Sequence, residues 1–223
     1  ESDNMAIGYN AMTTNTAGGT GNVAVGNYAL DALTSGDANV AIGKDALTAA
    51  TTGGTNTAVG YEALATMTTA TRNTAVGKSA LQNATGSFNT AVGSASLENN
   101  STGAQNVAVG DYTLNANTTA SFNTALGQGA MLVNTTGANN TAVGTDALVA
   151  NTTASNNTAV GRQSMSANTT GANQVAIGYQ SLDANTTGAQ NIAIGAGGAL
   201  GANTTADYNI AVGYSALAAN TTG

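Results

Sequence analysis

The chain has 223 residues, a formal charge of −7, 29 Gly, 7 % charged residues, and no Pro, Cys, His or Trp. Without Cys or His there are no disulfides, thiolate nucleophiles or imidazole bases, so catalysis and the usual metal sites are disfavoured. Only Lys44, Arg72, Lys78 and Arg162 are basic, too few to neutralise a phosphate backbone, so no nucleic-acid partner is expected.

No apolar run approaches the ~20 residues of a membrane span, so no membrane insertion is expected within this segment, and the acidic start ESDN reads as neither a signal nor a transit peptide. What organises the chain is internal repetition. Aligned on the Gly closing each "AVG"-like triplet, the units fall at Gly8, Gly26, Gly43, Gly60, Gly77, Gly93, Gly110, Gly127, Gly144, Gly161, Gly178, Gly195 and Gly213. The spacing is 17 throughout, except 18 at each end and a single 16. Residues 1–223 therefore read as one repeat array, expected to be a segment of a longer fibrous protein.

Each unit opens with a strand-like stretch, N-[T/V]-A-[V/I]-G. Asn holds the first position in twelve units, with Gln174 the exception, and Ala and Gly hold the third and fifth in all thirteen. Position two is Thr in six units and apolar in seven. In an extended strand the second and fourth side chains face one way and the Ala the other. Both faces are small or apolar, which predicts burial on both sides, one inside the coil and the other against a neighbouring chain. The expected core is one Val and one Leu per coil. The opening Asn is expected to satisfy corner backbone groups and to stack on its copies.

Next comes G-x-x-[A/S]-L, with Leu or Met ninth in every unit once an insertion before Leu200 is allowed. A competing reading makes "YEALAT" one turn of helix, but the following "NTTG" leaves little length for it. The return arm, "ANTTG" and its variants, is expected to be a polar Thr- and Asn-lined strand exposed to water. Its sequons at Asn117, Asn134, Asn151, Asn168, Asn185, Asn203 and Asn220 are acceptors for glycans where the host supplies the enzymes. The fifth and fifteenth positions are the expected corners, because Gly reaches backbone angles denied to other residues. A 17-residue unit suits one coil of a parallel β-solenoid, and thirteen coils at ~4.8 Å each give a rod of roughly 60 Å.

No constellation in this pattern carries chemistry. Gly77, Lys78 and Ser79 match the tail of a phosphate-binding loop, but Arg72 stands where that motif needs Gly. Asp45, Glu62 and Asp146 share the seventh position with Ser79, Tyr112 and Gln163, so no ladder of carboxylates forms. No catalytic, cofactor-binding or metal residues are assigned. The structural positions, taken from two adjacent units, are Asn56, Ala58, Val59, Gly60 and Leu64, then Asn73, Ala75, Val76, Gly77 and Leu81. Tyr61, Tyr179, Phe88 and Phe122, at the unit corners, are the candidate surface contacts.

The stretches "NVAIGKDAL", "NTAVGYEAL", "NVAVGDYTL" and "NIAVGYSAL" resemble the head repeats of YadA-type trimeric autotransporter adhesins, repeats also found in bacteriophage tail fibres. The resemblance spans essentially the whole chain and is carried by the Asn, Ala, aliphatic and Gly positions, for instance Asn56, Ala58, Val59 and Gly60. It implies an all-β, left-handed parallel β-roll, three chains side by side in a homotrimer, and an adhesive rod on a cell or virion surface meeting a host-cell, glycan or matrix surface. The 17-residue period and the "ANTTG" arm depart from that family. The stacked Thr pairs keep an ice-binding solenoid as the alternative.

Overall fold

The structure, a computed structural model, describes residues 3–15 and 17–222. It is an all-β parallel solenoid. Thirteen strands of three residues, from Met5–Ile7 (β1) to Ile210–Val212 (β13), form one sheet in strict sequence order, all parallel. The register pairs like with like, as in Thr57↔Thr74, Ala58↔Ala75 and Val59↔Val76. No residue among those described is helical. The "YEALAT" stretch is a chain of turns, because its amides bond between coils: Leu64 N–H donates to Ala80 O at 3.0 Å and Glu62 N–H to Lys44 O at 3.0 Å. A local helix has nothing to add where the neighbouring coil already satisfies the backbone.

Inside each coil the layout differs from the expected Val and Leu core. The strand Ala is the buried residue: Ala58 and Ala75 are fully buried, while Val59 is half-buried and Val76 exposed. A narrow coil has room for only a methyl group on its strand side, and Leu64 and Leu81 fill the space opposite with no exposure. The Leu column continues from Leu30 to Leu200, with Met131 and Met165 substituting. Small hydroxylated residues in the neighbouring Ala column keep their O–H groups paired, as where Ser164 Oγ donates to Ala176 O at 3.0 Å.

The first-position Asn residues form a buried ladder. Asn56 Oδ1 accepts Asn73 N–H at 2.9 Å, and Asn56 Nδ2 donates to Asn39 Oδ1 at 3.1 Å and Ala70 O at 3.0 Å. Asn73 repeats this by donating from Nδ2 to Gly86 O at 3.0 Å. Each amide thus closes its own corner and holds the next coil in register.

A second ladder runs through the return arm, against the expectation of an exposed Asn there. Asn100, Asn117, Asn134, Asn151, Asn168, Asn185 and Asn203 are fully buried. They link coil to coil, for example Asn134 Nδ2 to Asn117 Oδ1 at 3.0 Å. The sequons at these positions therefore offer no amide to solvent in the folded chain. In the second to fifth coils the same column is apolar, with Leu33, Ala50, Met67 and Ala84, so the core changes from hydrocarbon there to hydrogen-bonded amide farther along the rod.

Gln174 connects the two ladders. Its Nε2 donates to Asn168 Oδ1 at 2.9 Å, and its Oε1 accepts from Asn185 Nδ2 at 3.2 Å and Asn191 Nδ2 at 3.3 Å. The longer side chain is tolerated because Asn residues face it. Asn157→Gln, flanked by Asn151 and Asn168, is expected to cost less than about 1 kcal/mol. Asn39→Gln, flanked by Leu33 and Ala50, buries an amide without partners and is expected to cost about 2–3 kcal/mol. Urea unfolding of the two variants, followed by circular dichroism, distinguishes them.

Corner geometry corrects one further expectation. Gly60 and Gly77 do have φ of +145° and +140°, but fifteenth-position glycines such as Gly103 are not left-handed and are instead small for clearance, since a Cβ there would lie 2.3 Å from Ala120 O. Most of the remaining left-handed corners belong to other residues, including Leu64 (φ +53°), Glu62 (+55°) and Arg72 (+59°). Packing and ladder bonds hold them in a conformation that side chains disfavour.

Candidate functional site

Of the ten structural positions, eight lie inside the coil or at its turns, and the fourth-position aliphatics face outward. Asn56, Ala58, Leu64, Asn73, Ala75 and Leu81 lie inside the coil, and Gly60 and Gly77 turn it. Val59 and Val76 stand on the outer face of the sheet with the second-position Thr57 and Thr74. There, Ile42, Val76, Val109, Leu126, Ile177 and Ile194 are each 37–41 % exposed. Along the whole sheet the second and fourth positions carry Val, Ile, Leu, Met or Thr and no charge. The result is an uncharged, largely apolar strip with one row repeating at every coil, the kind of exposed patch that marks an interaction surface.

The predicted aromatic contacts lie at corners, half exposed. Lys44 Nζ sits 5.4 Å from the Tyr61 ring centre, Arg72 Cζ 5.4 Å from Phe88, and Arg162 Cζ 5.9 Å from Tyr179. Three of the four basic side chains thus rest on an aromatic ring of the following coil, which fixes their direction. Phe122 has no such partner among the described residues and is 56 % exposed. Lys44 also pairs with Asp45 at 3.2 Å, and that contact holds its ammonium above the ordinary lysine range. The adjacent Glu62 carboxylate pushes the Tyr61 phenol upward. Among the described residues, no group of three or more carboxylates is placed to hold a metal ion. No helix among them is long and apolar enough to cross a membrane.

The return-arm hydroxyls divide into two columns. Thr118, Thr135, Thr152 and Thr169 each donate to the equivalent carbonyl of the next coil, at 3.0–3.2 Å. The Thr residues that follow them, Thr119, Thr136, Thr153 and Thr170, are exposed, and their hydroxyls are left to solvent.

Compared with models of known protein families the chain matches none, and no curated protein matches it. The sheet strip, the corner aromatics and the outward Thr column are therefore read on their own chemistry.

Proposed function

We propose that the chain is a structural and adhesive rod of an extracellular, cell-surface or virion-surface fibre, built from copies of itself packed side by side. The observation carrying this reading is the uncharged apolar strip along the sheet. Water is an unfavourable neighbour for it, and a second copy with the same row spacing is a favourable one. Its likeness to YadA-type head repeats favours three copies and a role in reaching or holding a host-cell, glycan or matrix surface. The reading assigns no enzyme activity and no cofactor.

The strip gives the test. Val76→Glu combined with Val109→Glu places two carboxylates on the strip without touching the coil interior. The wild-type chain is expected to be a trimer and the double variant a folded monomer, by light scattering with circular dichroism as the check on fold. An unchanged mass in the variant overturns the strip as the interface.

The outward Thr column supports a second reading, binding to ice or another regular surface. It is a single column rather than a two-column array, and it is interrupted at Gly86, where the short unit omits that position. Ice-crystal shaping by the purified chain would support that reading, and its absence would remove it.

A further inference from the structure

A cleft of about 540 Å³ lies across the early return arms, lined by Ser35, Asp37, Thr52, Thr55, Arg72 and Phe88, with Gly54 and Thr71 along its floor. It comes from local departures from the repeat. The floor column carries Thr20, Asp37, Thr71, Ser87, Ala104 and Ser121 in neighbouring units, and Gly54 is its only glycine. One wall, the outward Thr column, breaks off after Thr69 and resumes at Thr102, because the unit between is a residue short. The other wall carries Arg72 and Phe88, whereas the same column holds Asn139, Asn156 and Asn173 farther on.

Its chemistry is specific. Phe88, 49 % exposed, supports the Arg72 guanidinium from the following coil. Among the described residues Arg72 has no carboxylate partner, although the chain as a whole is acidic, so its planar fork of donors is open to a carboxylate. Two coils away, ~10 Å by the coil spacing, Asp37 uses Oδ1 to cap Thr20, accepting from its N–H at 2.7 Å and its Oγ1–H at 3.0 Å. Among the described residues its Oδ2 accepts no hydrogen bond. Between the two charged groups stand Thr52 and Thr55 of the intervening coil, with Ser35 on the coil of Asp37; the Ser35 and Thr52 hydroxyls can donate and accept, while Thr55 donates its O–H to Gly54 O at 2.6 Å and is left an acceptor. A cation at one end, hydroxyls along the middle and an acceptor-only carboxylate at the other match a ring bearing one carboxylate and several hydroxyls.

We propose that this cleft binds a hexuronate residue of an acidic saccharide, its carboxylate on Arg72 and its ring hydroxyls shared among the Thr and Ser hydroxyls and Asp37. The volume lies within the usual range for small-ligand sites. This goes beyond the rod reading and does not depend on it: all the lining residues come from one chain and none belongs to the sheet.

The test uses the full chain and ligand-observed NMR titration with methyl glucuronide and methyl galacturonide, with methyl glucoside and acetate as controls. Two variants import residues that other coils already carry in the same columns, so the fold is expected to be retained, with circular dichroism as the check. Arg72→Gln copies Gln105 and Gln190, and Gly54→Thr copies Thr71 and fills the floor, where a Cβ would stand 3.0 Å from Asp37 O. Saturable binding of a uronide is expected, weakened about tenfold or more by each variant, as befits loss of a charge-assisted contact or of the space itself. No saturable uronide binding, equal binding of the glucoside or acetate, or uronide binding unchanged in either variant overturns the assignment. Light scattering on the same samples reports oligomeric state separately, so a monomer that still binds the uronide contradicts the rod reading and leaves the cleft standing.

Discussion

Gly60→Ala is expected to lower the stability of the rod by about 3 kcal/mol or more. The cause is geometric. Gly60 has φ +145°, where a side chain is strained, and an added Cβ would lie 2.3 Å from Gly77 O and 2.6 Å from Gly77 C. Both are backbone atoms of the next coil and cannot swing aside as a side chain could. The coil spacing would have to open, and the Asn56 to Asn73 bond and the Val59 to Val76 pairing would open with it. Gly21→Asn is the informative control. Gly21 is also left-handed, at φ +66°, but a Cβ added there would have nothing within 4 Å, and Asn139, Asn156 and Asn173 occupy the same column with φ of +59° to +62°. Its expected cost is less than about 1 kcal/mol. Urea melts of the two variants measure the difference, and equal costs would show that close coil contact is not what the fifth-position Gly protects.

Asn140→Ala is expected to cost about 2–4 kcal/mol. Asn140 Oδ1 accepts Asn157 N–H at 3.0 Å, and its Nδ2 donates to Ala154 O at 2.9 Å and Asn123 Oδ1 at 3.2 Å. Truncation leaves the buried Asn157 N–H without a partner, while Asn123 Oδ1 keeps the Asn140 N–H at 2.9 Å and Ala154 O keeps Asn151 Nδ2 at 3.1 Å. Asn140→Asp separates the parts of this loss, because it retains the acceptor for Asn157 while losing the donors and burying a carboxyl. Burial disfavours the charged form and raises the folded-state carboxyl pKa, so this variant is expected to be more stable in acid than at neutral pH. Stability measured across that range tests it, and a cost from Asn140→Ala no larger than for a surface Asn such as Asn156 would remove the ladder from the account of stability.

Much of the architecture was legible because a solenoid repeats each physical demand once per coil. Thirteen identical Ala positions point to a place where only a methyl group fits, and twelve Asn to one bond made again and again. What stayed hidden was set by direction rather than by residue type. Val59 and Val76 are as apolar as Leu64 and Leu81, and nothing in a single unit says that the strand aliphatics face out while the Ala fills the coil. The Asn of "NTTG" reads as part of a strand exposed to water, whereas Asn134 and Asn151 are core. The available signal was the column itself: Leu33, Ala50, Met67 and Ala84 precede Asn100 and Asn117 at one position, and a place that takes Leu or Met in some coils is an inward place. The left-handed φ at Leu64 and Leu81 left no trace in composition, because tertiary packing overrides their backbone preference.

The candidate surfaces were legible in part. Tyr61, Tyr179 and Phe88 were found as exposed corner aromatics, but their pairing with Lys44, Arg162 and Arg72 follows from coil stacking, which brings equivalent positions of successive units into contact. The cleft at Gly54 was invisible to repeat averaging, since it is made of the exceptions: one glycine in a column of larger residues, one short unit, and one arginine where other coils place neutral side chains.

The most direct test of the central claim, that these coils form a rod whose apolar strip is covered by further copies, is the mass of the chain in solution by light scattering over a range of concentrations. The account predicts a mass near three times 21.5 kDa that persists on dilution. A stable monomer of 21.5 kDa with the sheet intact would contradict it, and would mean that the strip bearing Ile42, Val76, Val109 and Ile177 faces water in the working molecule.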